Sequence, residues 1–132
     1  MSAEIAYLDS SAFVKTAIDE AESEALGGFL EEWPTRLSSA LLRVEAVRAS
    51  ARRGPQAVAS TMRRMTDIVL MPIDQETLEL AATLQPVSLR SLDAIHLATA
   101  QLLGSDLGVF ITYDARLAEG ARALGMQVAA PS

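Results

Sequence analysis

Hydrophobic residues along this chain fall into short continuous runs that alternate with longer stretches of helical period. Short apolar runs bounded by polar or turn residues predict strands, at 4–8, 36–38, 68–73, 109–113 and 127–129. Apolar residues three and four positions apart predict helices, at 19–32, 40–53, 56–66, 75–84, 91–103 and 115–124. Because strands alternate with helices, we expect a mostly parallel sheet covered by helices on both faces.

The helix predicted at 91–103 carries an acid, Asp93, in its first turn. Ser91 is suited to cap its start. The apolar face of this helix is predicted to contain Leu92, Ile95 and Leu102. The exposed amides and dipole at a helix start stabilise an acid there by roughly 0.3 to 1 kcal/mol. Taken alone, Asp93 is therefore explained by helix stability as well as by chemistry.

Three further acids occupy positions where chemistry is plausible. Asp9 and Asp114 each follow an apolar strand, and each is also placed to cap the helix that comes next. Glu45 shares a helical stripe with apolar and small residues, and an ion pair with Arg48 one turn on is the structural alternative. Ligands of open α/β sheets bind beyond the carboxyl ends of the strands, so we expect the three aspartates along one edge.

Composition narrows the classes of function. With 132 residues, half of them hydrophobic, the chain has the size of one domain with its own core. A net charge of −6 argues against a broadly basic nucleic-acid surface, which leaves Arg90, Arg116 and the arginines within 43–53 as candidates for phosphate contact. The absence of cysteine excludes disulfides and cysteine-ligated zinc. No apolar run is long enough to cross a bilayer and no signal-peptide pattern is present, which predicts a cytoplasmic protein without a membrane partner.

Four carboxylates at one edge would repel one another, and a divalent cation that prefers hard oxygen ligands relieves that repulsion. Mg²⁺ or Mn²⁺ bound there can lower the pKa of a water and stabilise charge on a phosphoryl oxygen. The predicted chemistry is phosphodiester hydrolysis. His96 lies one turn beyond Asp93, and we predict that it packs or makes a supporting hydrogen bond rather than acting as general base.

Four short motifs in a fixed order carry a resemblance to a known family. They are Tyr7-Leu8-Asp9-Ser10-Ser11, Leu42-Arg43-Val44-Glu45, Leu92-Asp93-Ala94-Ile95-His96-Leu97-Ala98 and Thr112-Tyr113-Asp114. Together they resemble the PIN-domain ribonucleases, specifically the VapC-type toxins. The resemblance covers essentially the whole chain. It implies a three-layer α/β/α sandwich with a central mostly parallel sheet, formed by a single PIN domain over 1–132.

The resemblance also implies a function and its residues. It implies an endoribonuclease that depends on Mg²⁺ or Mn²⁺, forms a homodimer and is inhibited by a cognate VapB-type antitoxin. The acidic quartet of the family falls on Asp9, Glu45, Asp93 and Asp114, and Thr112 matches the hydroxyl residue before the last acid. We expect Asp9 and Asp93 to carry most of the metal binding, while Glu45 and Asp114 complete the cage and orient the attacking water.

Two other functions compete with this interpretation. A catalytically silent PIN-like scaffold, or an antitoxin-binding module, would be marked by loss of one or more acids, and all four are present. A phosphohydrolase of the haloacid-dehalogenase kind also places an aspartate after its first strand. That class usually has a second aspartate two residues on, where this chain has Ser11.

Overall fold

A computed structural model describes residues 3–132 of the chain. Its strands are β1 (Ile5–Leu8), β2 (Thr35–Ser39), β3 (Val69–Met71), β4 (Leu107–Ile111) and β5 (Val128–Ala129). Its helices are α1 (Ser10–Ala17), α2 (Ser23–Leu30), α3 (Leu42–Ala51), α4 (Pro55–Arg64), α5 (Gln75–Thr83), α6 (Ser91–Gln101) and α7 (Ala115–Ala123). The strands pair in the order β3-β2-β1-β4-β5, and every pair is parallel. The predicted α/β fold is confirmed.

The central strand β1 is buried on both faces, as expected for a parallel sheet between two layers of helices. Ala6 and Leu8 point into a core shared with Leu26 and Leu30 of α2. Tyr7 points to the opposite face and packs in a second core with residues of α6 and α7. Because side chains alternate along a strand, a four-residue segment supplies both cores.

The strand order places β1 between β2 and β4, so the connections leaving β1 and β4 diverge to opposite faces of the sheet. Crevices at such a point are the usual ligand sites of open α/β sheets. The register pairs Leu8 with Ile111. The Asp9 backbone N–H donates to the Ile111 carbonyl at 3.2 Å. The segments that follow β1 and β4 therefore meet at one edge.

The predicted apolar face of α6 is wrong at two of its three residues, since only Ile95 is half-buried. Leu92 and Leu102 are exposed, and the buried face consists of Ala94, His96, Leu97, Ala98, Thr99 and Ala100. Small alanine side chains let the helix approach the sheet closely on the side that also buries Leu97, while Leu92 and Leu102 face outward. Ser91 is also not the N-cap, because the helix begins at Ser91 and Arg90 before it makes no side-chain cap.

Other elements differ from prediction mainly in extent. The helix expected at 19–32 begins only at Ser23, because Glu20 and Glu22 instead pair with Lys15 at 3.0 and 2.8 Å. The strand expected to be buried at 68–73 is reduced to β3 at the sheet edge, where Val69 is exposed. Within residues 3–132, no helix has the length and apolar character needed to span a membrane.

The corrected face of α6 predicts which leucine stabilises the fold. Leu97 is fully buried and its Cδ1 lies 2.9 Å from the position that a Cβ on Gly120 would take, so the site has little room to rearrange. We expect Leu97→Ala to lower the free energy of unfolding by about 2–5 kcal/mol. Leu92→Ala removes the same atoms from a half-exposed side chain and should lower it by about 1 kcal/mol or less. Urea unfolding of both variants measures this, and equal losses would contradict the assignment.

Candidate functional site

Asp9 lies where β1 ends and α1 begins, and it serves both elements. Its side chain is 3% exposed. Oδ1 accepts the Ala12 backbone N–H at 2.9 Å, which makes Asp9 the N-cap of α1. Oδ2 accepts the Thr112 hydroxyl at 2.6 Å. Burial raises the pKa of Asp9, and the hydrogen bonds from Thr112 and Ala12 offset this only in part.

Thr112 and Asp114 follow β4; Thr112 bonds Asp9 directly, and Asp114 is joined to Asp9 through Thr112. The Thr112 hydroxyl donates to Asp9 and accepts the Asp114 backbone N–H at 3.0 Å. The Asp114 carboxylate caps α7 by accepting the backbone N–H groups of Arg116 and Leu117 at 2.9 and 3.1 Å. The structure thus places these two predicted site residues beside Asp9, with Asp114 exposed to solvent.

Glu45 reaches the same region from the first turn of α3. Its Oε1 lies 2.6 Å from Nε2 of His96, a buried residue of α6. No contact with Arg48 is made, so the predicted structural alternative for Glu45 is wrong. His96 makes the supporting hydrogen bond that the sequence predicts, and its other ring nitrogen, Nδ1, lies 2.6 Å from the Tyr7 hydroxyl.

Asp93 lies in the first turn of α6, partly exposed. Burial and the negative charge of Asp114 raise the pKa of Asp93, and Glu45 acts in the same direction. His96 and Arg90 oppose them electrostatically without cancelling them. Asp93 therefore lies within electrostatic reach of two of the other acids. Within residues 3–132 no group donates a hydrogen bond to its carboxylate, which leaves its oxygens open to a ligand.

The four acids fit a hard divalent cation by the chemistry of their donors. All are carboxylate oxygens, the ligands that Mg²⁺ and Mn²⁺ prefer, and the raised pKa of both Asp9 and Asp93 reflects an environment that disfavours their charged forms. In the described part of the chain, no three acidic or histidine side chains already stand together as a ligand cluster. The carboxylates of Asp9, Glu45 and Asp114 are turned toward protein donors instead.

Sequence reasoning misses two residues that organise this edge. The Ser11 hydroxyl donates to Asp9 at 2.8 Å and accepts the Tyr113 backbone N–H at 2.9 Å, so it joins the ends of β1 and β4. From the sequence, Tyr7 is interpreted only as an apolar residue of a strand. The feature that could have revealed its role is its hydroxyl, because a tyrosine hydroxyl in a buried strand needs a hydrogen-bond partner.

Comparisons with known proteins agree on one family. The family model described as PIN domain matches residues 6–123. Ribonuclease VapC46 of Mycobacterium tuberculosis (strain ATCC 25618 / H37Rv) is 50% identical over 126 residues, covering 96% of this chain and 97% of that protein. Ribonuclease VapC47 of Mycobacterium tuberculosis (strain CDC 1551 / Oshkosh) is 38% identical over 130 residues, covering 95% and 96%.

Solved structures agree with the fold. A toxin-antitoxin complex from Klebsiella pneumoniae contains a chain that superposes with a TM-score of 0.73 at 23% identity, covering 96% of this chain and 98% of that one. VapC20 of Mycobacterium tuberculosis, described as a toxin that cleaves the sarcin-ricin loop, superposes with a TM-score of 0.71 at 17% identity, covering 92% and 95%. At these identities the likeness concerns the fold alone.

Proposed function

Since this chain belongs to the PIN-domain family and, within it, to the VapC ribonucleases, we propose that it is an endoribonuclease and the toxin of a toxin–antitoxin pair. The observation that carries the proposal is the meeting of Asp9, Glu45, Asp93 and Asp114 at the carboxyl edge of the sheet. Two findings support this: Thr112 joins the Asp9 carboxylate to the Asp114 backbone, and the charges of Asp114 and Glu45 both raise the pKa of Asp93. Hydrolysis of RNA phosphodiesters is the reaction that suits such a set of acids.

We propose that Asp9 and Asp93 hold Mg²⁺ or Mn²⁺, and that Glu45 and Asp114 complete the set of metal ligands. When bound, the ion supplies a water of lowered pKa and stabilises charge on a phosphoryl oxygen. The chain's own residues orient the acids. Thr112 fixes one oxygen of Asp9 and the backbone of Asp114 at the same time, so it sets the spacing between the ends of β1 and β4.

Substrate approach depends on local arginines, because the net charge of −6 repels RNA from the molecule as a whole. Arg90 precedes α6 and its charge acts on Asp93, and Arg116 lies in the first turn of α7 beside Asp114. Both are exposed. Arg53, in the turn after α3, already pairs with Glu20 at 2.7 Å, which reduces its availability for phosphate. We therefore propose Arg90 and Arg116 as the phosphate contacts nearest the acids.

An antitoxin partner is part of the proposal, supported by membership of the family and by the likeness in fold to a chain of a toxin-antitoxin complex. A VapB-type antitoxin would act by covering the acidic edge, the edge of the sheet at which Asp9, Glu45, Asp93 and Asp114 are proposed to lie. The single domain over 1–132, a homodimer and a cytoplasmic location remain predictions from the sequence.

The competing functions receive less support. At the position where a haloacid-dehalogenase-like enzyme usually has its second aspartate, Ser11 instead donates its hydroxyl to Asp9. A silent scaffold would have no need for four acids held at one edge, two of which carry raised pKa values because of burial and, for Asp93, the charge of Asp114.

Substrate class distinguishes these functions. We expect the purified protein, free of antitoxin, to cut RNA internally with Mg²⁺ or Mn²⁺, to lose that activity in EDTA, and to release no phosphate from a small phosphomonoester. Incubation with structured RNAs and with p-nitrophenyl phosphate, followed by gel and phosphate assays, measures both activities. Phosphate release would favour the dehalogenase-like alternative, and intact RNA under all metal conditions would favour the scaffold.

A further inference from the structure

A chain of hydrogen bonds runs from the core of the sheet to Glu45. The Tyr7 hydroxyl of β1 lies 2.6 Å from His96 Nδ1, and His96 Nε2 lies 2.6 Å from Glu45 Oε1. Tyr7 is fully buried and His96 is 2% exposed, while Glu45 is partly exposed at the acidic edge. Three elements, β1, α6 and α3, therefore converge on one imidazole.

Tyr7 and His96, the first two residues of this hydrogen-bond chain, are held in place by packing. The Tyr7 ring stacks on Phe110 with centroids 5.0 Å apart and planes 8° from parallel. It meets the His96 ring edge-on at 5.8 Å and 81°. Because Tyr7 belongs to the central strand and Phe110 to its neighbour, neither ring can move without disturbing the sheet. The imidazole is thus presented to Glu45 in one orientation.

The protons of this chain follow from what each atom can do. Burial raises the pKa of the Tyr7 phenol, so Tyr7 keeps its hydroxyl hydrogen and can donate it to Nδ1. At 2.6 Å from Oε1, Nε2 is placed to donate its hydrogen to the Glu45 carboxylate. An Nε2 without a hydrogen would set its lone pair against the carboxylate oxygen. The geometry therefore favours a ring bound by Tyr7 at Nδ1 and by Glu45 at Nε2, with the Nε2 hydrogen on the Glu45 side.

We propose that Tyr7 and His96 are positioning residues that hold Glu45 at the acidic edge through this directed chain of hydrogen bonds. The proposal rests on the proposed function in so far as Glu45 belongs to the site. A partly exposed glutamate beside Asp93 is otherwise free to turn its carboxylate toward solvent, away from like charge. The hydrogen bond from the buried His96 ring restrains this carboxylate, so Glu45 stays in place.

This arrangement also leaves His96 without a free lone pair for a substrate water. Nδ1 is occupied by Tyr7, and Nε2 carries the hydrogen that Glu45 accepts. His96 acts through Glu45 and does not touch the reacting groups.

The proton arrangement is tested on the wild-type protein, independently of any nuclease activity. His96 is the one histidine of the chain, so labelling histidine with ¹⁵N gives a single pair of ring signals. We expect the long-range ¹H–¹⁵N spectrum of the wild type to show a hydrogen on Nε2, the nitrogen that faces Glu45, and Tyr7→Phe to shift the Nδ1 signal. An Nε2 without a hydrogen in the wild type overturns the proposal.

Kinetics test whether the hydrogen-bond chain from Tyr7 through His96 positions Glu45 for RNA cleavage. We expect Tyr7→Phe and His96→Leu to lower kcat for RNA cleavage by about 10- to 100-fold, with KM changed by about twofold or less, as for other residues that orient metal ligands. His96→Gln keeps an N–H donor and should retain more activity than His96→Leu.

The matched control is Thr99→Val on the same helix. Thr99 is buried and its hydroxyl donates to the Ile95 carbonyl, so its loss disturbs α6 without touching Glu45. Equal kcat in Tyr7→Phe, His96→Leu and Thr99→Val overturns the positioning role. If the wild type cleaves no RNA, the proposed function fails, while the NMR result still decides the hydrogen-bond chain.

Discussion

Asp93→Asn is expected to lower RNA cleavage by roughly a hundredfold or more while leaving the protein folded, because it removes one charge from the acids proposed to bind metal. No protein group in residues 3–132 donates to the Asp93 carboxylate, so its loss breaks no hydrogen bond of the fold. Burial and the charge of Asp114 raise the pKa of Asp93, so its ionised form opposes folding. Single-turnover cleavage and thermal unfolding measure the two effects, and Tm should be unchanged or higher.

Asp106→Asn is the matched control for this variant. Asp106 is an exposed acid in the turn after α6 and makes no ion pair in the described part of the chain. The same change of one charge should leave cleavage near the wild-type rate. Metal-dependent cleavage retained by Asp93→Asn would remove Asp93 from the site.

Asp9→Asn is expected to abolish cleavage and to raise Tm at neutral pH. Burial raises the pKa of Asp9 above its ordinary value of 3.8, so the folded state holds the proton more tightly than the unfolded state. Stability is therefore lost as pH rises from the unfolded pKa through the raised folded pKa, and the full penalty is present above that window. Asparagine keeps the oxygen that accepts the Ala12 N–H and remains a good N-cap, while its amide N–H takes the place of Oδ2 and can donate to the Thr112 hydroxyl oxygen.

Thermal unfolding measured from pH 3 to pH 8, with Asp74→Asn beside it, tests this prediction. Asp74 caps α5 in the same way, but hydrogen bonds from the Thr77 backbone and hydroxyl lower the pKa of Asp74. Its ionised form therefore stabilises the fold, so Asp74→Asn should lower Tm slightly at neutral pH. A lower Tm for Asp9→Asn at neutral pH, or a gain in Tm that persists near pH 3, would contradict the interpretation that the buried charge of Asp9 destabilises the fold.

Local patterns suffice for the parts of this site that depend on near neighbours. Asp9 and Asp114 follow apolar strands and cap the next helices, as the sequence predicts, because strand ends and caps are set within a few residues. Parallel strands then bring those ends to one edge. The positions of two of the four acids, Asp9 and Asp114, are therefore accessible from the order of elements alone.

Contacts between distant segments are where local patterns fail. Helix spacing predicts Arg48 as the partner of Glu45, whereas the partner is His96, 51 positions further along the chain. Ser11 similarly bonds the Tyr113 N–H across 102 positions, because β1 and β4 are neighbours in the sheet. These pairs depend on which helices and strands pack together, which periodicity does not encode.

The orientation of α6 shows a second limit. Periodicity favours the large residues Leu92 and Leu102 as the buried face, but the helix packs through Ala94, Ala98 and Leu97. Close approach of a helix to a sheet rewards small residues, so the buried face depends on the partner surface as well as on hydrophobicity. Asp93 is consequently carried to the acidic edge at a rotation that the leucine pattern does not predict.

Metal binding by the acids is the central claim, and Mn²⁺ titration of the wild type and of Asp93→Asn, in the absence of RNA, tests it most directly. Calorimetry or the Mn²⁺ electron-spin signal reports binding without relying on nuclease activity. We expect the wild type to bind Mn²⁺ at least about tenfold more tightly than Asp93→Asn, and EDTA to abolish RNA cleavage by the same preparation. Equal Mn²⁺ affinity in the two proteins, together with RNA cleavage that persists in EDTA, would contradict the claim.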